Sequence, residues 1–262
     1  MGNEGSKSSK KGASGVLSSL KSGPSTSVVQ RHLETAQKTR VLTLKSANIK
    51  TIPPVIVELA PILRSLDLSL NRISVLPPFF GDFAVLKQLH LTGNLLETLP
   101  DEIGNLKKLE TLVLTDNNIT SIPDTIVGCL SLATVKINNN KLTEFPVGFC
   151  LLPRLESIDA SGNAIVALPD EIGQINASEL NFNNNKLIHL NPAIANAKNL
   201  RALKVENNEL PKQAFTKELL EDSNVNLIAF ANNHFQQKDF QDLPGYEAYE
   251  QRYTAVRRKG VY

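Results

Sequence analysis

A fifteen-residue pattern of leucine, isoleucine and asparagine recurs along most of this 262-residue chain. It is clearest at residues 109–123, with leucine or isoleucine at five positions, asparagine at the ninth and proline at the last. The asparagine returns every 22 to 25 residues, at Asn71, Asn94, Asn117, Asn140, Asn163, Asn185, Asn208 and Asn233. Such a fixed period predicts a stack of small units, each of which buries its apolar edge against the next.

An upstream segment fits the same frame, although Ala47 stands where the asparagine would be. Nine units therefore fit between residues 39 and 235. The chain is 41% hydrophobic, which is enough for one continuous core. A stack escapes the usual size limit of a single core, because each unit contacts only its neighbours. We therefore predict one elongated domain.

Within a unit, alternating leucines predict a short strand that is buried on one side. Leu112 and Leu114 would point inward, and Asn117 would satisfy backbone groups at the turn that follows. Pro123 would begin the return segment, since its fixed φ suits the first turn of a helix. Ile126 and Leu130 are four residues apart and are predicted to face inward at helical spacing. The strands would stack in parallel and line the inner face of an arc.

These residues resemble the leucine-rich repeat family at 63–77, 86–100, 109–123, 132–146 and 155–169. The return segment LPDEIGNLKKLE at residues 99–110 is similar to the intracellular Ras-suppressor-like subclass. The resemblance implies an α/β solenoid of about nine units, with parallel strands on the concave face and helical caps at both ends. It also implies a non-enzymatic scaffold or adaptor, with small-GTPase or kinase signalling as its context.

Both ends of such a stack need a cover. Residues 29–38 predict a short amphipathic helix, because Val29, Leu33 and Ala36 have helical spacing. Residues 236–262 predict a C-terminal cap and a basic tail. Tyr246, Tyr249 and Tyr253 form an aromatic stripe there, which would either close the last unit or dock a peptide. The need to cover the exposed end favours closure.

Residues 1–28 are rich in glycine, serine and lysine, and they predict a disordered tail. Gly2 and Ser6 match the template for N-myristoylation. A single myristoyl chain binds membranes weakly, so a second signal is needed. Lysines of the tail would supply it by attraction to an anionic leaflet, at Lys7, Lys10, Lys11 and Lys21. This predicts a protein held at the cytoplasmic face of a membrane; the alternative is a flexible, solvated tail.

The outward strand positions are the candidate surface for a protein partner. By repeat they include Lys45, Asp67, His90, Val113, Lys136, Asp159, Asn181 and Lys204. They are polar and of mixed charge, without the basic, aromatic-interleaved stripe of a nucleic-acid groove. The net charge of +2 gives no support for nucleic-acid binding either. We expect Asp67 to pair with His90 across neighbouring strands, and Lys136 to pair with Asp159.

The sequence carries no motif of a catalytic or metal site. Cys129 and Cys150 are the only cysteines, and their small number predicts a reducing compartment and two buried thiols. We therefore expect no catalytic residue, metal, cofactor or small-molecule substrate. Two alternatives to a plain scaffold remain. One is a targeting or regulatory subunit of a phosphatase or other enzyme, and the other is a small-GTPase regulator that inserts Arg64 or Arg201.

Overall fold

The structure is a computed structural model that describes residues 26–258, with side-chain surroundings from residue 29 onward. The predictions for Gly2, Lys7, Lys10, Lys11 and Lys21 therefore lie outside the described residues. Within residues 26–258, every helix is too short or too polar to cross a lipid bilayer.

Nine three-residue strands form one sheet, and each strand pairs in parallel with the next along the chain. They are β1 Val41–Thr43, β2 Ser65–Asp67, β3 Gln88–His90, β4 Thr111–Val113, β5 Thr134–Lys136, β6 Ser157–Asp159, β7 Glu179–Asn181, β8 Ala202–Lys204 and β9 Leu227–Ala229. The middle residue of each strand is buried. The predicted solenoid of nine units is therefore confirmed, with its core running along the whole stack.

Short helical segments return the chain to the next strand. Seven are 3₁₀ helices, at Pro54–Leu59, Pro78–Asp82, Asp101–Asn105, Asp124–Gly128, Asp170–Gln174, Pro192–Asn196 and Lys212–Ala214. The α-helices are α1 Thr26–Thr39, α2 Val147–Cys150, α3 Lys217–Glu221, α4 Gln237–Gln241 and α5 Tyr246–Arg258.

The inward positions of the return segments repeat every three residues. Ile126, Cys129 and Leu132 are all fully buried, whereas Leu130 is 49% exposed. The prediction that Leu130 faces inward is therefore wrong. It assumed the α-helical period, but this return begins as a 3₁₀ helix, which has three residues per turn.

The repeated asparagine joins each unit to the one before it. Asn117 Oδ1 accepts a hydrogen bond from the Leu96 backbone N–H at 3.1 Å. Its Nδ2 donates to the carbonyl of Leu91 at 2.9 Å, and to that of Leu114 in its own unit at 3.0 Å. Asn117 is itself buried. These bonds satisfy backbone groups that the next unit covers, so the side chain acts as a rung between successive turns.

The first unit has no asparagine of its own at this position, and Asn71 of the second unit bonds to its turn. Asn71 Oδ1 accepts from the backbone N–H groups of Ala47 and Ile49, at 3.0 and 2.9 Å. Its Nδ2 donates to the carbonyl of Leu44 at 2.9 Å. Within the described residues, the helix α1 and not a repeat unit comes directly before β1, so an asparagine at position 47 would have no repeat turn there to hold.

The residue before each rung has a left-handed backbone, with φ between 55° and 67° from the second unit onward. Glycine, asparagine or aspartate occupies this position at Gly93, Asp116, Asn139, Gly162, Asn184, Asn207 and Asn232. These residue types tolerate that conformation best. The frequent Asn-Asn pairs of the sequence therefore serve two separate needs, a left-handed turn and a rung.

Helices cover both ends of the stack, as predicted. At the start, α1 buries Val29, Leu33 and Ala36, and it extends beyond the predicted range 29–38 on both sides. At the other end, Tyr249 of α5 is buried, and its hydroxyl accepts a hydrogen bond from the Ile228 backbone N–H at 3.0 Å. The tyrosine stripe therefore closes the last strand.

Both cysteines lie in the core as free thiols. Burial raises the pKa of the Cys129 thiol to about 12, and its Sγ lies 3.2 Å from the Ile103 carbonyl oxygen, to which the thiol donates. Burial, with a smaller contribution from Glu171, also raises the pKa of Cys150 to about 12. Both groups are neutral near pH 7, so neither has the thiolate that a nucleophile or metal ligand needs.

We predict that replacing one rung weakens the whole stack. Asn117→Ala removes four hydrogen bonds and leaves buried backbone groups without partners, which should lower the free energy of unfolding by about 3 kcal/mol. Urea unfolding followed by circular dichroism measures the change. The matched control is Asn118→Ala, since Asn118 forms no side-chain hydrogen bond within the described part of the chain. Equal losses in both variants would contradict the role of the rung.

The buried thiols give a second prediction. A disulfide reagent should modify neither Cys129 nor Cys150 in the native protein at pH 8, and should modify both after denaturation. Since folding raises both pKa values, the stability that they contribute is complete below about pH 8.5. It falls as the pH rises toward 12, because the unfolded chain ionises first. Ser74→Cys, at an exposed position, is the reactive control; native wild-type protein that reacts as fast as this variant would contradict the prediction.

Candidate protein-binding surface

One row of side chains runs along the middle of the concave face. Backbone register places seven of the eight predicted residues in it, at Asp67, His90, Val113, Lys136, Asp159, Asn181 and Lys204. The eighth, Lys45, lies outside the row, because Asp67 pairs with Thr43. Lys45 is exposed and comes two residues later. Asp67 lies four residues before its asparagine, and Thr43 lies four residues before Ala47, so the first unit keeps the same spacing and its row position is Thr43.

Three polar residues of the row hold the turn that follows their strand. Asp159 Oδ1 accepts hydrogen bonds from the backbone N–H and the hydroxyl of Ser161, at 3.0 and 2.6 Å. Asp67 Oδ1 accepts from the Ser69 N–H at 2.9 Å in the same way. Asn181 Oδ1 does so from the N–H of Asn183, at 3.0 Å. Sequence reasoning missed this role, although an Asp or Asn two residues before a Ser or Asn is a known turn signal.

The expected charge pairs do not form. Asp67 is opposite His90, and Lys136 is opposite Asp159, but the ion pairs found between residues 29 and 258 lie elsewhere. They are Lys87–Glu110, Lys204–Glu179 and Lys217–Glu221. The carboxylates of Asp67 and Asp159 turn toward their own serines, and this removes them from cross-strand pairing. On the concave face, Lys204 instead bonds to Glu179 of the preceding strand at 2.5 Å.

The row passes through a shallow depression of about 270 Å³. Its walls carry Lys136, Asp159, Glu179, Asn181 and Lys204, together with hydroxyls of strand residues. Asp159 and Glu179 are committed in part to internal bonds, whereas Lys136 is exposed. The depression is open, polar and of mixed charge, and such a surface suits the polar contacts of a protein partner.

The two arginines considered for a catalytic contact lie just before their strands. Arg201 Nη1 donates to the backbone carbonyls of Lys198 and Leu200, both at 3.0 Å. These bonds fold its side chain back on its own chain. Arg64 is exposed, but it lines a separate cavity at the edge of the sheet. Between residues 29 and 258, no cluster of three or more potential ligands could hold a metal ion.

Comparison with known proteins agrees with this architecture. A family model described as "Leucine rich repeat" matches the overlapping segments 37–96, 61–119, 84–142 and 107–165. A leucine-rich repeat protein of Leptospira interrogans is 29% identical with a TM-score of 0.56, and the match covers 76% of this chain and 56% of that one.

Two further structures widen the comparison. The ectodomain of the Arabidopsis thaliana membrane receptor kinase GASSHO1/SCHENGEN3, in complex with CASPARIAN STRIP INTEGRITY FACTOR 2, is 29% identical with a TM-score of 0.57. That match covers 73% of this chain and 24% of the ectodomain. Internalin C2 of Listeria monocytogenes shares the fold at 18% identity, with a TM-score of 0.65 and coverage of 81% and 99%. With nine repeat units in one parallel sheet and rungs of asparagine between them, the chain belongs to the leucine-rich repeat family.

Proposed function

We propose that this protein is a non-enzymatic scaffold or adaptor that holds a protein partner on its concave face. The observation that carries the proposal is the row of mostly polar side chains, with its open depression around Lys136. Leucine-rich repeat folds typically serve as protein-interaction scaffolds, and a relative at 29% identity was solved with a partner bound. The predicted residues of the row include no phenylalanine, tyrosine or tryptophan, so polar contacts of moderate affinity fit it better than a buried aromatic anchor.

The proposal includes attachment to the cytoplasmic face of a membrane. Gly2 and Ser6 match the myristoylation template, and the tail lysines would add attraction to an anionic leaflet. Segments 32–39, 99–112 and 243–255 resemble leucine-rich repeat-containing protein 57 and the Ras-suppressor-like subclass. That resemblance supports intracellular signalling, around a small GTPase or kinase, as the context. In the proposal, the repeat holds the partner and the lipid positions the complex at the membrane.

Reversing one charge tests the concave face. Lys136→Glu should weaken partner binding about tenfold or more, because it sets like charges against each other at the contact. Affinity purification with mass spectrometry should then show proteins enriched by wild type but lost with this variant. Lys141→Glu is the matched control, since Lys141 is exposed but follows the asparagine rung and is outside the row. If both variants retain the same enriched proteins, the partner binds elsewhere.

The lipid anchor is tested at its acceptor. Gly2→Ala should abolish incorporation of a myristate analogue and shift the protein from the membrane to the soluble fraction, because the chain is attached to the amino group of this glycine. Gly5→Ala changes a nearby glycine but leaves the acceptor, and it should behave as wild type. Absence of label on the wild-type protein would refute the lipid anchor and leave the concave-face proposal standing.

A further inference from the structure

Four cationic side chains line one cavity at the edge of the sheet, away from the concave row. The cavity has a volume of about 200 Å³, and its charged lining consists of Arg40, Arg64, Lys87 and Lys108. Its remaining lining is apolar, from Pro61, Ile62 and Val85. No carboxylate between residues 29 and 258 lines it. We refer to this cavity as the basic edge cavity.

The repeat itself creates the alignment. Three of the four cations occupy equivalent positions in successive units. Each directly precedes a strand: Arg40 precedes β1, Arg64 precedes β2 and Lys87 precedes β3. The Arg64 N–H donates to the Arg40 carbonyl, and the Lys87 N–H donates to the Arg64 carbonyl, both at 2.8 Å. Neighbouring strands lie about 4.8 Å apart, so the three side chains follow one another along the edge. That spacing allows two cations to approach the same anionic group.

In the fourth unit the equivalent position carries a negative charge, on Glu110. The Glu110 N–H donates to the Lys87 carbonyl at 2.8 Å, and its carboxylate binds Lys87 Nζ at 2.6 Å. The cluster therefore ends at this unit, and Lys87 is partly neutralised. Lys108 adds a further positive charge from the same unit.

Structural roles account for only part of this charge. Arg40 follows the last residue of α1 with a φ of 62°, and its N–H donates to the Ala36 carbonyl at 2.8 Å. A cation at that place also interacts favourably with the helix C-terminus. Arg64 and Lys108 have no such role, because neither side chain forms an ion pair or hydrogen bond within the described residues. Both are exposed, so their charges are available to a ligand.

We propose that the basic edge cavity binds the phosphorylated headgroup of an anionic membrane lipid. Clustered cations supply the electrostatic attraction, and apolar residues between them suit the boundary between headgroup and acyl chain. The cavity belongs to the first four units, and the chain enters α1 from residues 1–25 at the same end of the stack. The contact would orient the arc on the membrane and leave the concave row free for a partner.

Vesicle binding tests the proposal with full-length protein made without myristate, so that its outcome does not depend on the lipid anchor. The probes are phosphatidylcholine vesicles that contain phosphatidylinositol bisphosphate, or phosphatidylserine at equal total charge. Wild type should prefer the phosphoinositide vesicles. Arg64→Gln/Lys108→Gln should weaken that binding about twenty-five-fold, since each cation near an anionic surface is worth about a fivefold change.

The matched control removes the same charge elsewhere. Arg72→Gln/Lys141→Gln changes two exposed cations that do not line the cavity, and vesicle binding should persist. An equal loss in both double variants would overturn the proposal in favour of general electrostatic attraction, and so would equal binding to both vesicle types. Binding of inositol trisphosphate or a phosphoserine peptide without vesicle binding would exclude the lipid as occupant.

A variant that binds phosphoinositide vesicles more strongly than wild type cannot be explained by misfolding. Glu110→Gln releases Lys87 from its ion pair and should strengthen phosphoinositide binding about fivefold. Glu209→Gln removes an equal charge at an exposed position in the eighth unit and should change nothing. If Glu110→Gln binds no better than this control, the cavity is not the headgroup site.

Discussion

The hydrogen bonding of the turn after each strand is the constraint on which the rest of the structure depends. A strand of three residues must leave the sheet at once, and the next unit then covers its peptide groups. Asn94 meets this need by donating to the Leu68 carbonyl of the preceding unit and accepting from the Ile73 N–H, both at 3.0 Å. Because every rung reaches back by one unit, it fixes the register between strands. The alignment of the concave row follows from that register.

The left-handed backbone before the rung is a second constraint. Leu70 meets it although leucine disfavours this conformation. With a φ of 57° and 52% exposure, Leu70 occupies a conformation that costs an ordinary residue about 1 kcal/mol or more. A Cβ at Gly93, the equivalent residue of the next unit, would lie 2.7 Å from Leu70 Cδ2. The absence of a side chain at Gly93 therefore leaves room for Leu70, which is the unusual residue type at the left-handed position.

Sequence periodicity predicts whatever the repeat imposes on all units. It therefore identified the strands, the buried positions and seven residues of the row. The prediction of Lys45 was wrong because it lies two residues beyond Thr43, the residue of the first unit that pairs with Asp67. Periodicity also failed for Leu130, where the helix type decides which side chain faces inward. Side-chain direction was also not predicted. The sequence allows Asp159 to bond to Lys136 or to Ser161, and in the structure it bonds to Ser161.

The repeat separates two surfaces by a few residues of sequence. Arg64 lies at the edge of the sheet and Asp67 lies in the concave row, while Leu66 between them is buried. Because the apolar positions and the asparagine rungs hold the stack together, the residue types that precede the strands can vary independently of the row. The change from Lys87 to Glu110 illustrates this freedom, since it ends a cationic cluster while the strands on both sides keep their register. One solenoid can thus present a basic edge and a mixed-charge face together, and the binding of a ligand to one need not obstruct the other.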